Sequence, residues 1–128
     1  MKHYKETQAT RQPIDLDDVL NSACYGGDID AVYCKQNVCV FIDVKVRGKA
    51  QSPSQSRMYH DLVNAWVSYG GKACALTVWH ETPDADAIKL ADCVVHDCYN
   101  RYSYHVFDDK PNAGDFIRDF FTNNGVTV

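Results

Sequence analysis

The chain lacks any long apolar run, and no stretch approaches the roughly 18 uninterrupted apolar residues that would suggest a membrane span. Its first residues, Met1-Lys2-His3-Tyr4-Lys5-Glu6, carry none of the apolar stretch of a secretory signal, so a cytoplasmic location is the expectation. A basic excess is also missing: 13 Lys and Arg stand against 17 Asp and Glu, for a formal net charge of −4. That balance excludes a surface coated in positive charge for indiscriminate nucleic-acid binding, and any such contact has to be local. No internal repeat, low-complexity tract or C-x-x-C knuckle is present. What remains, at 128 residues, reads as a single domain large enough to bury a core without a metal or disulfide scaffold.

Six cysteines is a high count, but their spacing is too irregular and the chain too long for a small secreted disulfide framework. Thiols are the expectation. A zinc site would draw on Cys34, Cys39, Cys74, Cys93 and Cys98 with His60, His80, His96 and His105. Cys93 and Cys98 lie five apart, so on one regular strand they point to opposite faces, which spoils a shared site. Cysteine acting as a small buried hydrophobe is the favoured reading.

Periodicity gives the elements. Residues 1 to 12 are polar and form an arm or the start of a helix, and Leu16, Val19 and Leu20 then recur at helical spacing before Gly26-Gly27. Residues 28–34 and 38–46 form an antiparallel hairpin turning at Gln36-Asn37. Ser52-Pro53-Ser54-Gln55 starts a helix, with Ser52 as N-cap, Pro53 at the first helical position and Gln55 completing a capping box. Met58, Leu62, Trp66 and Tyr69 are its apolar stripe, and Gly70-Gly71 ends it. Residues 73–79 form a strand covered on both faces, and residues 91–107 a second hairpin turning near Asn100-Arg101, with 85–91 open to a helical reading. Asn112 caps a last helix that presents Phe116, Ile117, Phe120 and Phe121 on one side and ends near Asn124-Gly125. The expected core includes Val40, Ile42, Leu62, Trp66, Leu76, Val78 and Phe120. This order gives an α/β fold with a central mixed β-sheet flanked by helices.

The most informative segment runs from Gly27 to Lys45. A turn at Gln36-Asn37 sets Lys35 opposite Val38, Cys34 opposite Cys39, Asp30 opposite Asp43 and Asp28 opposite Lys45. Cys34 and Cys39 are then placed to close a disulfide on oxidation. Asp30 and Asp43 fall at a non-hydrogen-bonded pair, where Cα atoms are only about 4.5 Å apart. Two carboxylates that close repel unless a cation lies between them, and a divalent ion with oxygen ligands is the natural occupant. The competing reading is a surface ion-pair network of Asp28, Asp43 and Lys45 with Asp30 solvated. The apolar run Val38-Cys39-Val40-Phe41-Ile42 favours function, because the charges interrupt a strand that otherwise reads as buried. Gln55 is equally explained by its capping box.

These residues, Gly27-Asp28-Ile29-Asp30-Ala31-Val32, Phe41-Ile42-Asp43-Val44-Lys45, Gln55 and the strand ending at Trp79, resemble the PD-(D/E)xK nuclease superfamily over roughly residues 14 to 107. The resemblance implies a restriction-endonuclease-like core and a Mg2+- or Mn2+-dependent hydrolase of DNA phosphodiester bonds. Position by position, it implies that Asp30 and Asp43 bind the metal, with either Asp28 or Asp30 as the first acid. It further implies that Lys45 positions the attacking water and stabilises developing charge, and that Gln55 orients that water or a phosphate. Arg47, Lys49 and Arg57 beside this site are the candidate phosphate contacts, and a homodimer would help an acidic chain assemble one basic cleft. Two alternatives are a catalytically silent copy of the fold that binds nucleic acid or a protein, and a nucleotidyltransferase suggested by Gly26-Gly27-Asp28-Ile29-Asp30 followed by Ile42-Asp43-Val44.

Overall fold

The computed structural model describes residues 29–83 and 86–128. The expected first helix, the arm at 1–12, and Asp28 with its place opposite Lys45 lie outside the described residues. A five-stranded sheet runs in the order β1-β2-β3-β4-β5. Its strands are β1 (Ala31–Lys35), β2 (Val38–Val46), β3 (Lys72–His80), β4 (Val94–Tyr99) and β5 (Tyr104–Val106), with α1 (Pro53–Ser68) after β2 and α2 (Ala113–Asn123) at the end. β2 and β3 pair in parallel, joined through α1, and the other neighbours are antiparallel. Among the described residues no helix is long and apolar enough to cross a membrane.

The period-two alternation of the strands builds two apolar layers. Val38, Val40 and Ile42 of β2 with Cys74, Leu76 and Val78 of β3 pack on the α2 side with Ile117 and Phe121. Cys39 and Phe41 with Ala73 and Ala75 pack on the α1 side with Tyr59 and Val63. β3 is therefore covered on both faces, as its continuous apolar run implies.

The first hairpin closes through Gln36 and Asn37, both at positive φ (49° and 70°), the left-handed pair that a two-residue turn matched to strand twist requires. The register follows: Lys35 pairs with Val38, Cys34 with Cys39, and so on to Ala31 with Ile42. The ladder stops there, one pair short of the expected Asp30–Asp43 rung. Asp30 has left the strand, and its Oδ2 accepts the Val44 amide hydrogen at 2.8 Å, so a side chain takes a bond that a strand carbonyl would otherwise make. Cys34 and Cys39, with Cα atoms 4.3 Å apart, are joined as a disulfide, where a reducing compartment would keep thiols.

α1 begins as its capping box dictates, with Ser52 Oγ accepting from the Gln55 amide at 3.2 Å and Gln55 Oε1 accepting from the Ser52 amide at 3.1 Å. Its buried stripe differs from the expected one. Tyr59 and Val63 are the enclosed residues, Met58, Leu62 and Trp66 are half-buried at the margins, and Tyr69 is 92% exposed. The apolar pattern alone passed over Tyr59, whose phenol is enclosed because its hydroxyl donates to the Ile42 carbonyl at 3.1 Å. Phe120, also expected in the core, is half-buried on the flank of α2. The 85–91 stretch gives only a short 3-10 turn at Leu90–Asp92 among the described residues.

β4 carries the largest departure from regular pairing. Thr77 pairs with Asp97 but the next residue, Val78, pairs with Val95, so His96 is an extra residue and the strand bulges. The bulge resets the alternation, and Cys93 and Cys98 both pack against the α2-side cluster rather than facing opposite ways.

Gly71 marks a close approach. A Cβ there would run into the indole ring of Trp66 and come 2.8 Å from the Asn37 carbonyl oxygen, which already accepts from Trp66 Nε1 at 2.9 Å. Gly71→Ala is expected to destabilise the protein by about 1–3 kcal/mol, the usual cost of overpacking, in a denaturant titration. An unchanged midpoint would show that α1 is not held against the hairpin turn as described.

Candidate metal centre

The α1-side row of β2 runs Cys39, Phe41, Asp43, Lys45, and α1 covers only its first half. Where the helix begins, the row turns from apolar to charged. Asp43 is nonetheless only 3% exposed, and burying a carboxylate is expensive unless it is paired. Its Oδ2 lies 3.5 Å from Lys45 Nζ as an ion pair but accepts no hydrogen bond. Lys45 Nζ in turn donates to Gln55 Oε1 at 3.0 Å, the same oxygen that closes the capping box. The helix cap thus does two jobs, fixing the start of α1 and aiming the lysine.

Burial pushes the Asp43 carboxyl above its ordinary range, the facing Asp30 carboxyl adds to the shift, and Gln51 and Lys45 oppose it. Asp30, Asp43, Lys45 and Gln55 are therefore gathered at one place even though Asp30 sits just outside β1. Gln51, whose side chain touches Asp43, was not singled out by the sequence because nothing in a loop glutamine announces it.

The flanking cations are less concentrated than expected. Arg47 pairs with exposed Glu81 at 3.3 Å and lies 5.8 Å from the Trp79 ring centre. Lys49 contributes its backbone carbonyl to the Trp79 indole N–H at 2.9 Å, which pins the loop after β2. Arg57 is exposed on α1, and Lys110, not anticipated, lies 5.2 Å from the Trp79 ring centre.

The same face continues across the sheet. Thr77 is the β3 register partner of Asp43, and Asp97 is the β4 partner of Thr77. Asp97 accepts from the Thr77 amide at 3.2 Å and from the Tyr104 hydroxyl at 2.9 Å. Loss of the Tyr104 proton, opposed by burial first and then by Asp97, is deferred to a pKa of about 12.

A divalent cation fits this chemistry. Mg2+ is commonly held by one or two carboxylates with water completing its shell. Asp30 and Asp43 would be the two carboxylates, and Asp43 Oδ2 accepts no hydrogen bond. Among the described residues no cluster of three or more His, Cys, Asp or Glu side chains is arranged for a metal, so a cage made wholly of side chains is not offered. An apolar hollow of about 260 Å3 on the chain, lined by Tyr33, Leu90, Ile117 and Phe121, includes none of these residues. Comparison with protein-family models, with curated proteins and with solved structures yields no match to this chain.

The raised Asp43 carboxyl has a consequence for stability. Between the ordinary carboxylate value and the raised one, the folded protein holds the proton more tightly than the unfolded chain, so stability falls as pH climbs through that window. Asp43→Asn is therefore expected to stabilise the metal-free protein at neutral pH, and the gain should vanish below the ordinary carboxylate value. Chemical denaturation at a series of pH values checks this, and a loss of stability at neutral pH would contradict it.

Proposed function

We propose that this protein is a Mg2+- or Mn2+-dependent nuclease of the PD-(D/E)xK type, with a restriction-endonuclease-like core, that hydrolyses phosphodiester bonds in DNA. One observation carries the reading: a buried carboxylate with an unpartnered oxygen, a second carboxylate facing it, and a lysine held between that oxygen and a helix-cap glutamine. Burying an ion pair commonly returns little net stability, so stability alone is a weak reason for this arrangement. A cation bound here would neutralise the carboxylates and polarise a phosphodiester oxygen.

The chain's own groups have distinct tasks in this scheme. Asp30 and Asp43 bind, and Asp30 is oriented by the Val44 amide. Lys45 presents a point charge to the phosphorane and steers the attacking water, and Gln55 fixes the ammonium so that little reorganisation is needed in the transition state. Arg47, Lys49 and Arg57 contact the DNA backbone locally, and a homodimer would combine two such faces. The silent-module alternative draws on one observation, that Asp30 Oδ2 already holds a backbone hydrogen bond.

The two variants that test this behave differently. Asp43→Asn should abolish Mn2+ binding by calorimetric titration and with it any Mg2+-dependent cleavage. Lys45→Ala should keep Mn2+ affinity and lose on the order of 10²–10³ in cleavage rate, as when one preorganised transition-state contact is removed. Unchanged Mn2+ affinity in Asp43→Asn would exclude the site. Metal binding with no cleavage of linear, single-stranded or branched DNA would transfer the reading to the silent module.

A further inference from the structure

Two large rings of the β4–β5 hairpin face solvent and have no part in the cation centre: Tyr102, 81% exposed, and Tyr104, 56% exposed. Both are held in place. Tyr104 pairs with Tyr99 across β4 and β5, and its hydroxyl donates to Asp97 Oδ2 at 2.9 Å. Tyr99 stacks on His60 of α1, with ring centres 3.8 Å apart and planes 19° apart, and its hydroxyl donates to Asn64 Oδ1 at 2.8 Å. The Tyr104 ring centre is 6.4 Å from that of His60. Three rings thus meet at the side of α1, and Tyr104 is the most exposed of them.

The turn that carries Tyr102 is equally fixed. Asn100 Oδ1 accepts from the Tyr102 amide at 3.1 Å, the Ser103 amide at 2.9 Å and the Ser103 hydroxyl at 3.2 Å. Arg101 Nη1 donates to Ser68 Oγ of α1 at 3.1 Å, and the guanidinium carbon is 6.0 Å from the Tyr102 ring centre, which brings that ring to the α1 side as well. Arg101 has φ +79°, a conformation that glycine adopts without strain. The arginine is therefore kept at a cost to the backbone, as happens where a turn holds a ligand.

We propose that the β4–β5 hairpin and the adjoining side of α1 form a platform for single-stranded DNA, on which unpaired bases stack on Tyr102 and Tyr104 while Arg101 meets a phosphate. Every base has a π-face, so such stacking tolerates any sequence. Rings already fixed by their neighbours lose little freedom on binding, and a guanidinium beside them suits the backbone charge. A duplex cannot use the site in this way, because its base faces are covered by one another.

Stacking also suits the charge of this chain. Arg57 and Asp61 are both exposed on α1 beside His60 and offset each other, which leaves Arg101 as the surplus cation of the three. Rings let a chain of net charge −4 hold a strand without a basic coat. The platform leads to the cation centre along α1, since Gln55, bonded to Lys45, precedes His60 by about 7.5 Å of helix axis. As a substrate class for the reaction, single-stranded DNA rests on the nuclease reading above, whereas the binding surface can be tested without metal.

The test is fluorescence anisotropy in EDTA with labelled oligodeoxythymidylate, the same strand annealed to oligodeoxyadenylate, and oligouridylate. The single DNA strand should bind about tenfold or more tighter than the duplex. Tyr102→Leu changes a ring that faces solvent, so the fold is spared, and it should lose about tenfold in affinity with its salt dependence unchanged. Tyr102→Phe should bind like the parent. Arg101→Gly should weaken binding and lower the log–log salt slope by about 0.7, one phosphate contact, while its denaturation midpoint holds or rises. Equal affinity for strand and duplex, or a Tyr102→Leu variant that binds like the parent, overturns the platform. Tighter binding of oligouridylate overturns the assignment to DNA. Mg2+-dependent cleavage of duplex without single-strand binding overturns the platform and leaves the cation centre standing. Single-strand binding in EDTA with no cleavage of any probe in Mg2+ overturns the nuclease reading and the substrate assignment, and supports the platform as a binding surface.

Discussion

The alternation of β2 is the constraint on which the rest depends. Its even residues, Val38, Val40 and Ile42, are committed to the α2 side, and its odd residues, Cys39 and Phe41, to the α1 side. The Gln36-Asn37 turn fixes the register, and a slip of one residue would exchange the two apolar sets between layers packed for the other. Asp43 and Lys45 are carried to the α1 side by the same parity. The apolar layer gives way to charge there, with Asp43 still enclosed and Lys45 partly exposed.

That placement sets stability against chemistry. Asp43 is enclosed enough to hold its proton above the ordinary range, and Thr77 and His96 each bury a polar atom with no partner. Each of these weakens the fold. The surrounding bonds are positioned to tolerate the strain: Tyr59 ties α1 to the backbone one residue before Asp43, Trp79 ties the loop after β2, and Asp97 ties the bulge to β3. Rigid second contacts of this kind hold a side chain in a costly position.

The disulfide belongs to the same hairpin. Cys34 and Cys39 lie four residues from Asp30 and Asp43 on their respective chain segments, and the covalent link fixes the register that the turn sets. Its small enclosed loop removes less unfolded-chain entropy than a long one would, so its effect falls mainly on the local pairing of β1.

Much of this was legible in the chain because it is local. The hairpin register follows from two turn residues, α1 from Ser52-Pro53-Ser54-Gln55, β3 from a continuous apolar run, and α2 from Asn112 and its phenylalanines. The convergence of Asp43 and Lys45 on one face, with Gln55 at the adjoining helix start, could be anticipated from parity and the cap, while the bond from Lys45 to Gln55 was not among the expectations. What the sequence alone did not yield depends on distant segments meeting. The enclosure of Tyr59 needs the Ile42 carbonyl, and the exposure of Tyr69 reflects where α1 runs out of sheet. The turn of Asp30 out of its strand to meet the Val44 amide is a contest between a side chain and a ladder bond. The bulge at His96 overrides the period-two rule that sent Cys93 and Cys98 apart, and neither spacing nor composition encodes it. Local chemistry determined the elements and their faces, while the polar row from Asp43 through Thr77 to Asp97 was decided only by the stacking of three strands from separate parts of the chain, since the register between strands joined through a helix or a long loop is set by packing.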